Sequence, residues 1–281
     1  MNNAESPSIE AALAWARKTL SQSDSGALDS RVLLCHCLGK GLSYLMTWPD
    51  KALTDSQWQD FQTLVCRRAS GEPVAYLTGH REFWDLDLQV SPDTLIPRPE
   101  TEHLVEAALE NTPKTSRKVL DLGTGTGAVA LALAKERPAW QVLGVDYQSK
   151  IIELAASNAR RNGINNVRFQ VSDWFQQLSD TSFDLIVSNP PYIDDEDHWL
   201  AQGDVRFEPR SALVSGNQGL ADIEAIASQS GGYLSQDGLL IFEHGYQQGP
   251  QVRAILIRQG FSRVTTLSDL AGLERITLGY R

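Results

Sequence analysis

The 281-residue chain reads as an α/β protein: a parallel sheet with helices on both faces, preceded by a small all-helical domain and a connecting β-hairpin. Three observations predict this. From Lys118 onward, short apolar runs alternate with amphipathic stretches, as repeated strand–helix units do. The first seventy or so residues carry helical periodicity only. Between them, Leu86, Leu88 and Val90 alternate with Asp85, Asp87 and Gln89, the period of a half-buried strand. The expected division is residues 1–73 as the helical domain, 74–94 as the linker with the hairpin, and 95–281 as the α/β domain.

Each element has a local cause. Ser6-Pro7 opens a first helix, with Ile9, Leu13, Ala14 and Leu20 at helical spacing. A second runs from about Leu28 to Leu38 and stops at Gly39. Thr54-Asp55-Ser56-Gln57 has the capping-box form, and Trp58, Phe61, Leu64 and Val65 follow on one face until Gly71 and Pro73. Phe83–Val90 is the hairpin strand. Pro92, Pro97 and Pro99 punctuate the chain before a helix over roughly Glu100–Leu109. Strands are then predicted at Val119–Leu122, Gln141–Val145, Val167–Val171, Phe183–Val187 and Leu239–Phe242. The closing pair, Val264–Leu267 and Ile276–Leu278, supplies antiparallel strands at the C-terminal edge. Helices are predicted at Ala128–Ala134, Ile151–Ala159, Leu220–Ala227 and Val252–Ile257.

Bulk properties narrow the function. A formal net charge of -10 counts against a protein that binds by neutralising many phosphates, so no direct nucleic-acid partner is expected. The cysteines Cys35, Cys37 and Cys66 are too few for a disulfide framework and suit a reducing compartment. Cys35-His36-Cys37 lacks the second ligand pair of a structural zinc site and follows Val32, Leu33 and Leu34, so it reads as packed helix and no metal is expected. The N-terminus lacks a basic region followed by an apolar run, and no apolar stretch is long enough to span a bilayer. A cytoplasmic, monomeric protein without a membrane partner is expected.

The chemistry concentrates where the predicted strands end. Asp121-Leu122-Gly123-Thr124-Gly125-Thr126-Gly127 follows the first strand of the α/β domain and opens a helix. Its glycines let a ligand approach the main chain. Asp146 ends the next strand, where a carboxylate can accept from two ribose hydroxyls. Two readings fit this loop. Gly123, Gly125 and Ala128 satisfy the dinucleotide pattern of a nicotinamide enzyme; Gly127 and Asp121 fit the S-adenosylmethionine version better. Asp173-Trp174 ends the third strand, where the carboxylate can accept from an adenine amino group and the indole can cover the ring.

Phe183–Ser188 then delivers Asn189-Pro190-Pro191-Tyr192 to the same sheet edge. Two prolines stiffen the backbone, so that the Asn189 side-chain oxygen and the Pro190 carbonyl can both accept from one NH₂ group, while Tyr192 offers an aromatic face. An amide or exocyclic amine has a delocalised lone pair. Two acceptors fixed on its hydrogens favour a geometry that aims the lone pair at a donor methyl.

The chain is similar over nearly its whole length to the release-factor glutamine methyltransferases of the HemK or PrmC type. Besides Asn189–Tyr192, the similarity lies in Tyr76-Leu77-Thr78-Gly79 with Glu82-Phe83, and in Leu95-Ile96-Pro97-Arg98-Pro99-Glu100-Thr101-Glu102. It continues in Phe207-Glu208-Pro209-Arg210-Ser211-Ala212-Leu213, Glu243-His244-Gly245 and Asp269-Leu270-Ala271-Gly272-Leu273-Glu274-Arg275. Ser211 departs from the hydrophobic residue common there, a difference expected to leave the chemistry unchanged. The resemblance implies a class I methyltransferase with a Rossmann-like sheet and S-adenosylmethionine as cofactor. It implies as substrate the glutamine of the Gly-Gly-Gln motif in class-1 peptide chain release factors, docked partly by the helical domain. It places Gly123, Thr124, Gly125, Thr126, Gly127, Asp146, Asp173, Trp174 and Asn189 around the donor. Asn189, Pro190, Pro191 and Tyr192 fall around the acceptor, with Asn189, Pro190 and Tyr192 catalytic. Arg98 with Glu100, and Glu208 with Arg210, are expected as surface ion pairs without chemical role. Three rivals stay open: a DNA adenine or ribosomal RNA guanine amino-methyltransferase, a donor-binding module without turnover, and a nicotinamide oxidoreductase.

Overall fold

A computed structural model describes residues 6–179 and 182–281. Met1–Glu5, on which part of the targeting expectation rests, lies outside the described residues. Among those residues no helix is long and apolar enough to cross a membrane. The chain divides into two compact units: residues up to Gly79 together with Ala201–Phe207, and His80–Leu200 together with Glu208–Arg281.

The helical unit holds α1 (Ile9–Thr19), α2 (Gly26–Leu38), α3 (Leu42–Thr47), α4 (Asp55–Ala69) and α5 (Val74–Thr78). The cap of α1 is Ser8, whose hydroxyl accepts from the Ala11 amide at 3.2 Å, rather than Ser6. Gly39 closes α2 in the left-handed region, with φ of 59°. The capping box of α4 forms reciprocally: Gln57 N–H donates to the Thr54 hydroxyl at 3.2 Å, and Thr54 N–H to the Gln57 side-chain Oε1 at 3.0 Å. Ile9, Ala12, Ala16, Leu33, Leu34, Phe61 and Val65 fill the core between these helices, with Cys35 and Cys37 packed at its margin. Arg68, the most buried cation of this unit's ion pairs, bridges Asp29 at 2.8 Å and Asp204 at 3.0 Å.

In the α/β unit, β1 (His80–Phe83) and β2 (Leu86–Gln89) form an antiparallel hairpin that turns at Trp84, whose φ is 58°. The hairpin is fastened to this unit by Asn158. Its side-chain oxygen accepts from Gln89 N–H at 2.8 Å, while its NH₂ donates to the Gln89 carbonyl at 3.0 Å and the Thr126 carbonyl at 2.9 Å. The expected linker 74–94 is therefore split at Gly79: α5 goes with the helices and the hairpin with the sheet. A short 3₁₀ turn, Pro99–Thr101, leads into α6 (Glu102–Asn111).

The rest alternates as β3 (Lys118–Leu122), α7 (Ala128–Glu136), β4 (Gln141–Asp146), α8 (Ser149–Arg161), β5 (Val167–Val171), β6 (Phe183–Ser188), a helix over Ala221–Tyr233, β7 (Leu234–Glu243), a helix over Gly249–Arg258, β8 (Ser262–Ser268) and β9 (Glu274–Tyr280). The sheet order is β5-β4-β3-β6-β7-β9-β8. Every pairing from β5 through β7 is parallel, and β9 alone runs against both neighbours. Only one strand is reversed, so the edge strand β8 points the same way as the parallel set. The central strands β3, β6 and β7 bury both faces. Val119, Leu185 and Ile241 look into one apolar layer with α7, while Leu120, Ile186 and Leu240 look into the other with Ile223 and Ile226. The chain builds outward from β3 through β4 to β5, then returns to the other side of β3 with β6. That reversal opens a crevice beyond the carboxyl ends of β3, β4 and β6.

Candidate active site

A cavity of ≈ 290 Å³ occupies that crevice. The glycine loop supplies its floor. Gly123 turns at φ of 72°, and a Cβ there would lie 3.3 Å from the Trp174 ring, so the indole rests directly on the loop. Gly125 faces open space. The Thr124 amide donates to the Val145 carbonyl at 2.9 Å, which stitches the loop to the end of β4. Thr124, Thr126, Asp146, Asp173 and Trp174 also line the cavity. Gly127 does not. Its φ is 84°, and a Cβ would meet Phe169 at 3.1 Å and Leu131 at 3.2 Å; it lets α7 close on the sheet rather than facing a ligand.

Two acids behind the loop are out of water. Asp121 is wholly buried, and burial pushes its carboxyl up to about 7, against the Thr124 hydroxyl that donates to it at 2.6 Å. Burial also raises the Asp146 carboxyl, opposed by the Gly125 amide, which donates to Oδ2 at 3.2 Å. Oδ1 of Asp146 is buried with no hydrogen-bond partner. An unpartnered buried carboxylate oxygen costs about 1–3 kcal/mol or more, which a ligand hydroxyl would recover.

On the other side of β3, β6 ends at Ser188 and presents Asn189. Asn189 and Pro191 line the cavity; Pro190 and Tyr192 do not. The Asn189 NH₂ group donates to the Thr101 hydroxyl at 3.1 Å. The Tyr192 hydroxyl is turned to Glu243 Oε1 at 3.4 Å, so the ring is held by the protein. Burial pushes the Tyr192 hydroxyl pKa up, helped by the Glu243 charge.

Sequence reasoning missed several wall residues. Tyr147 and Ser172 border the donor side, and Asp93, Thr94, Leu95, Pro97 and Thr101 form a strap along the cavity. The expected pairs Arg98–Glu100 and Glu208–Arg210 do not form. Arg98 instead donates to Glu208, whose other oxygen accepts from the Ile96 amide at 3.2 Å, and Arg210 pairs with Asp195. The Glu208 side chain is fully buried, so this pair pins the strap to the segment carrying Ser211 and Ala212. The signals in the sequence were the charged residues amid prolines and apolar residues and their place in two segments that carry the family resemblance. Among the described residues no group of three or more potential ligands is placed to hold a metal ion.

The arrangement has counterparts among known proteins. The family model for the PrmC N-terminal domain matches residues 11–79, and that for a methyltransferase domain matches residues 113–243. The release factor glutamine methyltransferase of Vibrio cholerae is 53% identical over 277 residues, covering 98% of this chain and 97% of that protein. The release factor glutamine methyltransferase of Escherichia coli is 49% identical over 268 residues, covering 94% and 97%. Among solved structures, a 16S rRNA methyltransferase of T. thermophilus in complex with AdoMet and guanosine superposes with a TM-score of 0.53 at 19% identity, covering 72% of this chain and 49% of that one. It shares the fold, a class I methyltransferase sheet. Identity near half over almost the full length, with a methyltransferase domain spanning the glycine loop, Asp146 and Asn189, shows that the chain belongs to the release factor glutamine methyltransferase family.

Proposed function

We propose that this chain transfers a methyl group from S-adenosylmethionine to the side-chain amide nitrogen of the glutamine in the Gly-Gly-Gln motif of class-1 peptide chain release factors. The names of the relatives support the substrate. The observation that carries the reading at the site is the meeting of the glycine loop, Asp146 and Asn189 in one cavity.

The residues present fit the donor. Asp146 Oδ1 is an acceptor waiting for a ribose hydroxyl, and Gly125 leaves room that a side chain would fill. A protein of the same fold holds AdoMet. In this assignment the loop 123–126 cradles the amino acid end, Asp146 holds the ribose, and Asp173 and Trp174 flank the adenine; Gly127 shapes the loop from behind. When bound, S-adenosylmethionine supplies an electrophilic methyl group on a sulfonium.

The chain's own work is then positional. Asn189 Oδ1 and the Pro190 carbonyl accept the two amide hydrogens of the glutamine, and Pro191 keeps the segment rigid. With both hydrogens fixed, the face of the nitrogen that carries the lone pair is held toward the donor methyl. No side chain has to remove a proton first: the N–C bond would form at the expense of the donor's S–C bond, and the N–H, acidified by it, would lose its proton to solvent. Tyr192 stays on its Glu243 anchor and holds the segment in place. Positioning of this kind is worth about 7–11 kcal/mol in favourable cases.

The test is a methyl-transfer assay with labelled donor and a purified class-1 release factor, with ribosomal RNA and DNA in parallel, followed by mass spectrometry of the Gly-Gly-Gln peptide. One added methyl on that glutamine is expected. Asn189→Ala is expected to lower kcat by about 10²–10³. Label in nucleic acid alone would overturn the substrate, and near-normal kcat in Asn189→Ala would overturn the grip.

A further inference from the structure

We propose that Thr101 and Glu243 are positioning residues that set the rotation of the Asn189 side-chain amide, so that its oxygen rather than its NH₂ group faces the acceptor. The inference rests on the methyl-transfer reading above and adds the device that makes Asn189 an acceptor.

A side-chain amide is nearly symmetric in shape but opposite in hydrogen-bonding sense at its two ends. The grip works with Oδ1 toward the substrate; with the amide reversed, two donor groups would face each other. The Asn189 NH₂ group donates to the Thr101 hydroxyl at 3.1 Å, leaving Oδ1 for the cavity that both residues line. Thr101 is buried at the end of the 3₁₀ turn Pro99–Thr101.

A threonine hydroxyl donates as readily as it accepts, so Thr101 alone cannot impose this sense. Something must take its proton. Glu243, the last residue of β7, is only 2% exposed; its Oε1 accepts from Tyr192 at 3.4 Å, and its Oε2 is buried without a hydrogen-bond partner. Thr101 lies close enough to this carboxylate to favour its charged form, and the unpartnered Oε2 is the acceptor the proposal assigns to the Thr101 proton. With its proton directed at Glu243, Thr101 has only lone pairs to offer Asn189. Asn189 and Tyr192, the two ends of the tetrapeptide, are then referred to one carboxylate.

The protonation state of Glu243 becomes the control. The groups facing it are Thr101 and Glu100 from the turn before α6, Tyr192 from the segment after β6, and Arg275 from β9. Burial pushes its carboxyl up to about 7, held back by Thr101, Arg275 and Tyr192 and helped by Glu100. A protonated Glu243 would donate to Thr101, free its hydroxyl to point at Asn189 Oδ1, and turn the amide round.

The experiment compares full-length parent, Thr101→Val, Thr101→Ser and Glu243→Gln, with methyl transfer to the release factor followed across about pH 6 to 8.5 and donor affinity measured by calorimetry. Thr101→Val is expected to lose about 10- to 100-fold in kcat with donor affinity within about twofold of the parent, and Thr101→Ser to stay within about threefold of the parent's kcat. The parent's kcat should fall on the acid side; that limb should flatten in Thr101→Val and vanish in Glu243→Gln, which should also be slower. Parental kcat in Thr101→Val or in Glu243→Gln would overturn the proposal. So would equal losses in the valine and serine variants, or an acid limb unchanged by either substitution. If the parent methylates a different amine, the glutamine reading fails alone, and the same comparison on that amine decides this proposal.

Discussion

A buried carboxylate oxygen without a partner is a local cost that a ligand donor relieves, and Asp146, at the cavity wall, carries one. Asp146→Ala removes the open acceptor Oδ1 together with the Oδ2 that takes the Gly125 amide of the glycine loop. Donor affinity measured by calorimetry should fall by about tenfold or more, with the acceptor KM changed far less. Equal losses for donor and acceptor would move Asp146 out of the ribose role. At this scale the sequence was informative wherever type and order carry the chemistry: Gly123, Gly125, Asp146 and Asn189 sit on successive strand ends and meet in one cavity. It marked Thr101 and Glu243 only as parts of segments that carry the family resemblance and gave them no role, because their use depends on partners far along the chain; Thr101 and Asn189 are separated by 88 residues. It misdirected on Arg98 and Glu208, for which near neighbours offered plausible partners and the fold supplied a distant one.

Among the elements, the β3–α7 turn carries a constraint that a single substitution can test. Gly127 combines a left-handed backbone with side-chain neighbours so near that a Cβ would have to push them back. Gly127→Ala should therefore lose about 1–3 kcal/mol of stability, read by urea denaturation. Full stability in that variant would show that α7 can shift without cost, and Gly127 would return to the list of ligand-facing residues. Long amphipathic helices and buried strands were legible from periodicity, and Thr54–Gln57 closed as a capping box. Short helices such as α3 and α5 were not, since five or six residues carry too little periodicity to separate helix from turn. β7 begins earlier than its apolar run, because Leu234 pairs with Phe183 across a register shift that no sequence pattern announces.

For the molecule as a whole, stability and function are coupled through pH. Glu243 has its folded carboxyl raised from 4.5 to about 7, so the folded state holds a proton that the unfolded state has released across that window. Its contribution is thus fully present below about pH 4.5 and is lost as pH rises to about 7. Relative to the parent, Glu243→Gln should gain thermal stability as pH is raised from about 5 to about 8, although it slows turnover. A difference in Tm that does not change with pH would mean Glu243 titrates near its ordinary value. The fold class was readable from the alternation of apolar runs after Lys118. Where the two units part company was not, because residues 201–207 join the helices from the middle of the second unit.

That excursion limits how the molecule can be dissected. In the helical unit Arg206 donates to the Ser70 carbonyl at 3.0 Å, and Asp204 takes one arm of Arg68. A fragment cut to begin at His80 would keep Arg206 and Asp204 but discard both partners, and a fragment ending at Gly79 would take from Arg68 one of its two carboxylates, leaving Asp29. Neither cut follows a natural seam. An excised catalytic fragment that performed poorly would report a stranded loop between Asn189–Tyr192 and Glu208 as much as a missing docking surface, so an inactive truncation would not by itself assign substrate recognition to the helices.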